Sequence, residues 1–205
     1  INALIATEDA RYYSHTGIDF KSLLRAIIKM GKAGGGSTIT QQLAKQLWSP
    51  RANNIFERAL QKPIEWVIAT QLERLYSKEE ILTMYLNQFD FLYNAVGIKS
   101  AAQVYFSTTP DQLRIEEAAM LVGMCKNPSM YNPRRRPERA LNRRNTVLDQ
   151  MCKYGYISTQ ECDSLQALPV NIKYQSVDHK QGLAPYFREY LRQILTAKEP
   201  KKSNY

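Results

Sequence analysis

The apolar side chains of this chain recur at a helical period and almost nowhere at the period of two that a sheet strand requires. Phe20, Leu23, Leu24, Ile27 and Ile28 stand at i, i+3, i+4, i+7 and i+8, and the pattern stops at Gly31. That spacing predicts an amphipathic helix with a glycine stop. The opening run also reads as helical, and further helices are predicted over 38–48, 55–76, 97–106, 115–126, 137–154 and 184–195. Pro63 is expected to kink the 55–76 helix or to start a new segment within it. Ser77 with Glu80, and Ser158 with Glu161, are capping-box pairs that start two more helices. Behind the first lie Ile81, Leu82, Tyr85 and Leu86; the second runs to about residue 168. Only 170–174 reads as a short strand, too little to build a sheet, so the fold class is all-α.

Composition excludes several alternatives. At 205 residues, 44% hydrophobic and 10% aromatic, the chain can bury a core without disulfide or metal staples and is not disordered. No apolar run approaches the roughly 20 residues that span a bilayer. Cys125, Cys152 and Cys162 form no C-x-x-C pair and have only His15 and His179 as imidazole companions, which argues against a disulfide framework or a structural zinc. Lys and Arg number 28 against 19 acidic residues, a net charge of +9. The expected partner is therefore an anion: nucleic acid, an anionic lipid surface or a phosphorylated substrate. A polar stretch from 169 to 182 suggests a boundary near 170–185. The absence of an initiator Met suggests a piece of a longer protein whose anchor lies elsewhere.

Three clusters carry chemistry. Gly34, Gly35 and Gly36 lead through Ser37 and Thr38 into a helix on which Ser37, Gln41 and Lys45 share one face, with Thr38 and Gln42 in the neighbouring row. A glycine loop feeding a helix N-terminus suits an anion, although the P-loop spacing is absent and a solvated polar face has the same pattern. Arg58, Lys62 and Glu65 fall at i, i+4 and i+7, two cations and a carboxylate on one face, or simply a surface ion pair. Glu8 and Asp9 precede Tyr12, Tyr13, His15 and Gly17, so a carboxylate there is either a desolvated base or a complement to a helix dipole.

In this order the clusters resemble the peptidoglycan glycosyltransferase domain (glycosyltransferase family 51) of class A bifunctional penicillin-binding proteins. The family's E-D-x-x-F-x-x-H-x-G is similar to residues 8–17, with Tyr12 where Phe is usual. G-G-S-T-x-T-Q-Q-x-x-K is intact over 35–45, and R-K-x-x-E matches 61–65 with Gln61 in place of the arginine. K-x-x-I-L-x-x-Y-L-N spans 78–87 and R-R-x-x-V-L spans 143–148. Five ordered motifs make chance similarity negligible. No S-x-x-K or K-[ST]-G is present, so no transpeptidase site lies in this chain.

The resemblance implies a lysozyme-like helical fold with a larger lobe and a smaller mobile lobe flanking a cleft. It implies a glycosyltransferase domain over 1–170 and, over 171–205, a linker toward a transpeptidase domain absent from the chain. The implied reaction joins lipid II units into glycan strands with release of undecaprenyl pyrophosphate, at the periplasmic face of the cytoplasmic membrane. Glu8 would be the general base. Glu65 would orient the cations Lys45, Lys62 and Arg58 on the pyrophosphate or hold a divalent metal (Mg or Mn) there. Asp9, His15, Ser37, Thr38, Gln41, Gln42 and Asn87 would contact substrate or shape the site. The implied partners are lipid II, the growing glycan, the membrane surface and other cell-wall synthesis proteins, with no nucleic acid. A lysozyme-like hydrolase is the enzymatic rival, which would need two carboxylates and leave the cations idle. The non-enzymatic rival is a basic module using the arginines between 134 and 144 on a membrane. Trp48, Phe89, Phe91, Leu92 and Tyr93 either help a lobe dip into the bilayer or pack in the core, the more common fate of such residues.

Overall fold

Ala3, Leu4, Ile5 and Ala6 follow one another without a polar break, so the helix they form has no face to offer water, and all four are buried. The structure, a computed structural model, describes residues 1–28, 36–48 and 54–175 together with Tyr190 and Ile194. Gly34, Gly35 and all but those two positions of the helix expected over 184–195 lie outside the described residues. Among the described residues the nine α-helices are α1 (Asn2–Glu8), α2 (Phe20–Ile28), α3 (Ile39–Trp48), α4 (Ile55–Leu75), α5 (Lys78–Gln88), α6 (Ile98–Phe106), α7 (Ile115–Lys126), α8 (Pro137–Lys153) and α9 (Thr159–Gln166). The fold is all-α. The chain divides into a unit of residues 1–175, which holds these helices, and a unit of residues 176–205.

The core centres on α7, whose Ala119, Met120, Leu121, Val122, Met124 and Cys125 are all buried and which packs on α8 and α1. Gly123 brings α8 close: a Cβ there would lie 3.1 Å from Arg143 Cγ. Arg144, next along α8, is 1% exposed, and its guanidinium donates to the carbonyls of Gln166 (3.0 Å) and Leu168 (2.7 Å) and to Asn145 Oδ1. Those bonds tie the end of α9 and the chain beyond it to α8. The capping boxes read from Ser77 with Glu80 and from Ser158 with Glu161 are both formed.

Two local expectations are corrected: a new segment starting at Pro63, and a strand over 170–174. The 55–76 segment does not break at Pro63; α4 is one helix of 21 residues through it, losing the single ladder bond that a residue-63 N–H would make to Ala59. Residues 170–174 form no strand. Instead Lys173 N–H donates to Tyr105 O (2.9 Å) and Gln175 N–H to Val104 O (2.8 Å), satisfying carbonyls that the last turn of α6 leaves without helical partners. In the aromatic connection at 89–96 the core-packing alternative holds. Phe91 is fully buried, Phe89 and Tyr93 pack on the core, and Arg134 stacks over Tyr93 and Tyr174. Leu92, Tyr93 and Asn94 adopt φ of 67°, 54° and 62°, and the strain is held by the Phe91 N–H to Ala95 O and Gly97 N–H to Phe89 O bonds, each 2.9 Å.

Asp19 starts α2, accepting from Ser22 N–H (3.1 Å) and pairing with the Arg11 guanidinium. Burial works to raise its carboxyl, but the bonds from Arg11 and Ser22 outweigh it and bring it down to about 2. Its contribution to stability is therefore complete above the unfolded value near 4 and is lost as pH falls through about 2. Asp19→Ala should cost about 1–2 kcal/mol at neutral pH. The gap from the parent chain should close between about pH 4 and pH 2, as read by denaturant unfolding across that range; a gap independent of pH would contradict this.

Candidate active site

Helix α3 organises the site because its polar residues touch both neighbouring walls. Thr38 precedes it as the N-cap: its Oγ1 accepts from Gln41 N–H (3.1 Å) and donates to Gly17 O (2.7 Å). Asp9, 6% exposed, accepts from Ile39 N–H (3.1 Å), so the end of α1 is joined to the start of α3. Gly17 N–H donates to His15 Nδ1 (3.2 Å), which leaves the ring proton on Nε2, and Nε2 donates to Asp9 at 3.0 and 3.1 Å. Only glycine fits at 17, with φ +93° and a would-be Cβ 2.9 Å from Ala69 O. Asp9 and His15 are thus turned onto each other and onto α3, and Gln41 is buried beside them. Below them Lys78 Nζ donates to His15 O (2.7 Å) and Glu73 (2.8 Å), and Glu73 accepts from Thr40 (2.6 Å), locking α5 and α4 to the same turn.

Glu8, at the end of α1, has a donor on each oxygen. Arg143 Nη2 lies 3.1 Å from Oε1, and Gln42 Nε2 lies 3.2 Å from Oε2. The Glu8 side chain is 15% exposed and that of Arg143 is 11% exposed. A carboxylate paired on both oxygens keeps lone pairs for an incoming hydroxyl, since it offers about four acceptor positions. Arg143 was missed as a site residue because the arginines between 134 and 144 were read as one surface population. Its motif position is visible in the sequence, but the packing that aims Arg143 at α1 and Arg144 at the end of α9 is not.

The second cluster lies where α4 faces the start of α3. Arg58 and Glu65 pair through both guanidinium nitrogens, Lys62 Nζ is 3.2 Å from Glu65 Oε2, and Lys62 Nζ donates to Ser37 Oγ at 3.0 Å. The i, i+7 stripe therefore survives Pro63. Burial acts to raise the Glu65 carboxyl, yet Arg58 and Lys62 prevail and hold it below the ordinary range. Lys45, on α3, feels Arg58, Glu65 and Lys62; partial burial and then Arg58 hold its ammonium below the usual lysine range. Three cations around one carboxylate leave a positive excess suited to a polyanion. Two of the α3 N-terminal N–H groups are taken by Asp9 and Thr38, so anion binding here rests on side-chain cations more than on the helix end. Asn87 is exposed at the end of α5.

Glu65 already serves the cations around it. Both of its oxygens are engaged by Arg58 and Lys62, and among the described residues no three His, Cys, Asp or Glu side chains come together as a ligand set.

Helix α3 braces the Glu8 carboxylate through Gln42 and carries Lys45 beside the Arg58 and Lys62 of α4. The chain belongs to the Transglycosylase family, which matches residues 1–152: it is a peptidoglycan glycosyltransferase domain. Penicillin-binding protein 1A of Aquifex aeolicus is 41% identical over 94% of this chain and 26% of its own length. Penicillin-binding protein 1A of Escherichia coli is 41% identical over 94% of this chain and 23% of its length. Penicillin-binding protein 1F of Bacillus subtilis is 40% identical over 98% of this chain and 28% of its length. The chain thus spans about a quarter of these curated relatives. A crystal structure of penicillin-binding protein 1A from Haemophilus influenzae superposes with a TM-score of 0.48 at 26% identity, over 80% of this chain and 20% of that one.

Asp9→Ala leaves the Ile39 N–H and His15 Nε2 without their buried acceptor. It should cost about 2–3 kcal/mol and loosen the first turn of α3. Amide exchange at residues 39–41 should accelerate more than at α7, and equal acceleration throughout would show that Asp9 is not a local tie.

Proposed function

We propose that this domain polymerises lipid II, joining GlcNAc–MurNAc-pentapeptide units by a β-1,4 bond with inversion at MurNAc C1. The observation that carries the reading is the Glu8 carboxylate at the end of α1, braced by Gln42 of α3, the helix that also carries Lys45 of the cation cluster made with Arg58 and Lys62 of α4. Glu8 takes the proton of the acceptor GlcNAc 4-hydroxyl as its oxygen attacks C1. The C1–O bond to pyrophosphate breaks, and the electron pair leaves with undecaprenyl pyrophosphate. That leaving group needs charge neutralisation more than a proton, and the three cations supply it. Glu65 holds Arg58 and Lys62 in place. Ser37 positions Lys62; Thr38, Gln41, Asp9 and His15 brace the α3 entrance, and Asn87 contacts substrate.

A hydrolytic role would need a second carboxyl that keeps its proton for a sugar-oxygen leaving group. Glu65 is held ionised by its cations, which supports transfer over hydrolysis. The lipid tail places the reaction at a membrane surface, on its periplasmic side. Phe20, Leu24 and Ile28 on α2 are 68%, 59% and 70% exposed, and Phe56, Leu60 and Ile64 on α4 are 83%, 73% and 58% exposed. Both rows stand at i, i+4, i+8, apolar stripes that suit contact with acyl chains. α2 to α4 then make the smaller lobe of a lysozyme-like cleft, with residues 1–170 as the catalytic domain and 171–205 as a linker toward a transpeptidase domain. Other cell-wall synthesis proteins complete the partners.

With labelled lipid II, the chain should make long glycan strands, whereas Glu8→Gln should lose about a thousandfold in kcat and still bind a pyrophosphate-bearing donor. Lys62→Ala should lower kcat/KM by at least about tenfold. Normal polymerisation by Glu8→Gln would sink the assignment of the base.

A further inference from the structure

Tyr85 has no part in the chemistry above, yet its hydroxyl reaches the site. It lies on α5, fully buried, with its ring against Phe89. Its hydroxyl donates to Gln42 Oε1 at 3.0 Å, and the other end of that amide, Nε2, donates to Glu8 Oε2 at 3.2 Å. The amide is thus gripped at both ends. Its orientation matters, because a flipped Gln42 would set its carbonyl oxygen against the Glu8 carboxylate, two acceptors face to face.

We infer that Tyr85 is a positioning residue for the base, acting through Gln42: its hydroxyl fixes the amide so that Glu8 always meets a donor. The inference rests on the reading of Glu8 as the general base. Burial keeps the Tyr85 phenol protonated, well above the ordinary tyrosine range, with Cys125 and Glu8 adding to the effect. The hydroxyl therefore remains a donor throughout the working pH range. The competing acceptor beside it is Cys125 Sγ, whose own proton is directed to Leu121 O at 3.7 Å. An amide oxygen is the stronger acceptor of the two, so the phenol proton belongs to Gln42.

The groups facing this relay come from four helices: Glu8 from α1, Gln42 from α3, Cys125 from α7 and Arg143 from α8, with Tyr131 stacked on the Arg143 guanidinium at 5.8 Å. Arg143 holds Oε1 from the other side, so the relay governs only Oε2 and its loss should weaken the base without freeing it. Once Tyr85 is removed, Gln42 samples orientations in which Glu8 Oε2 has no donor. The charged carboxylate is then less favoured and its proton affinity rises. Turnover falls and requires higher pH, while the contacts to the donor pyrophosphate are untouched.

The test is kcat against pH for Tyr85→Phe, which deletes one oxygen and keeps the ring, with far-UV circular dichroism to verify folding. The expected result is a kcat about fivefold lower with KM for lipid II unchanged, and an acid limb displaced to higher pH. Gln42→Leu, a change at a half-buried position, should displace the limb in the same direction, and adding Tyr85→Phe to it should change nothing further. An unmoved limb, or effects that simply add in the double variant, would reduce Tyr85 to core packing. Glu8→Gln in the same assay separates the two levels. If it retains turnover, the base reading fails; if it is dead while Tyr85→Phe matches the parent chain, only the positioning role fails.

Discussion

Everything at the site depends on one buried carboxylate whose oxygens are bonded inside the fold. Asp9 lies at the end of α1 and receives the first N–H of α3 together with the His15 ring, so two segments 30 residues apart in sequence share one charge. Burying a carboxylate is costly unless its oxygens are occupied, and occupation here requires α1, the 12–17 turn and α3 to be in register. Glu8 precedes Asp9 and Gln42 is three residues beyond Ile39, so the same tie that satisfies Asp9 sets the distance between the Glu8 carboxylate and the Gln42 amide. A device that looks structural therefore decides the geometry of the chemistry.

The cation cluster follows a related logic with the opposite sign. Arg58, Lys62 and Lys45 would repel one another if left alone, and the 1% exposed Glu65 is what allows them to gather. The arrangement is stable as a net positive group only while one carboxylate stays ionised inside it, which is why Glu65 is suited to hold cations and unsuited to deliver a proton. Glu8 stands in the contrasting environment, one cation and one neutral amide, with room for a further donor. Two carboxylates of the same chemical type are thereby given different electrostatic surroundings by the number of charges around them.

Much of this was legible in the chain. Helix positions followed from the 3.6 period and from serine–glutamate caps, because those signals are local and need no partner. Misreadings came where tertiary contacts override local preference. Pro63 sits in a continuous helix because one lost ladder bond is outweighed by the packing of α4 on α3. The aromatics of 89–96 allow either a membrane contact or a core in sequence, and the tertiary contacts decide for the core: Phe91 is buried, Tyr105 donates to its carbonyl at 2.7 Å and Asn132 in turn donates to Tyr105 at 2.9 Å. Neither partner is near in sequence.

The sequence by itself determined that the chain is helical, basic and built on the motifs of a glycosyltransferase, because period, charge and motif order are properties of a string. The tertiary structure alone decided which of these residues work together. Arg143 meets Glu8 across 135 residues, and Tyr85 meets Gln42 across 43, in contacts that no spacing rule contains. The reason is physical: a side chain's task is set by the charges and donors that packing brings within about 3 Å of it, and adjacent residues such as Arg143 and Arg144, about 100° apart around α8, are given different partners, Glu8 for one and the carbonyls of Gln166 and Leu168 for the other.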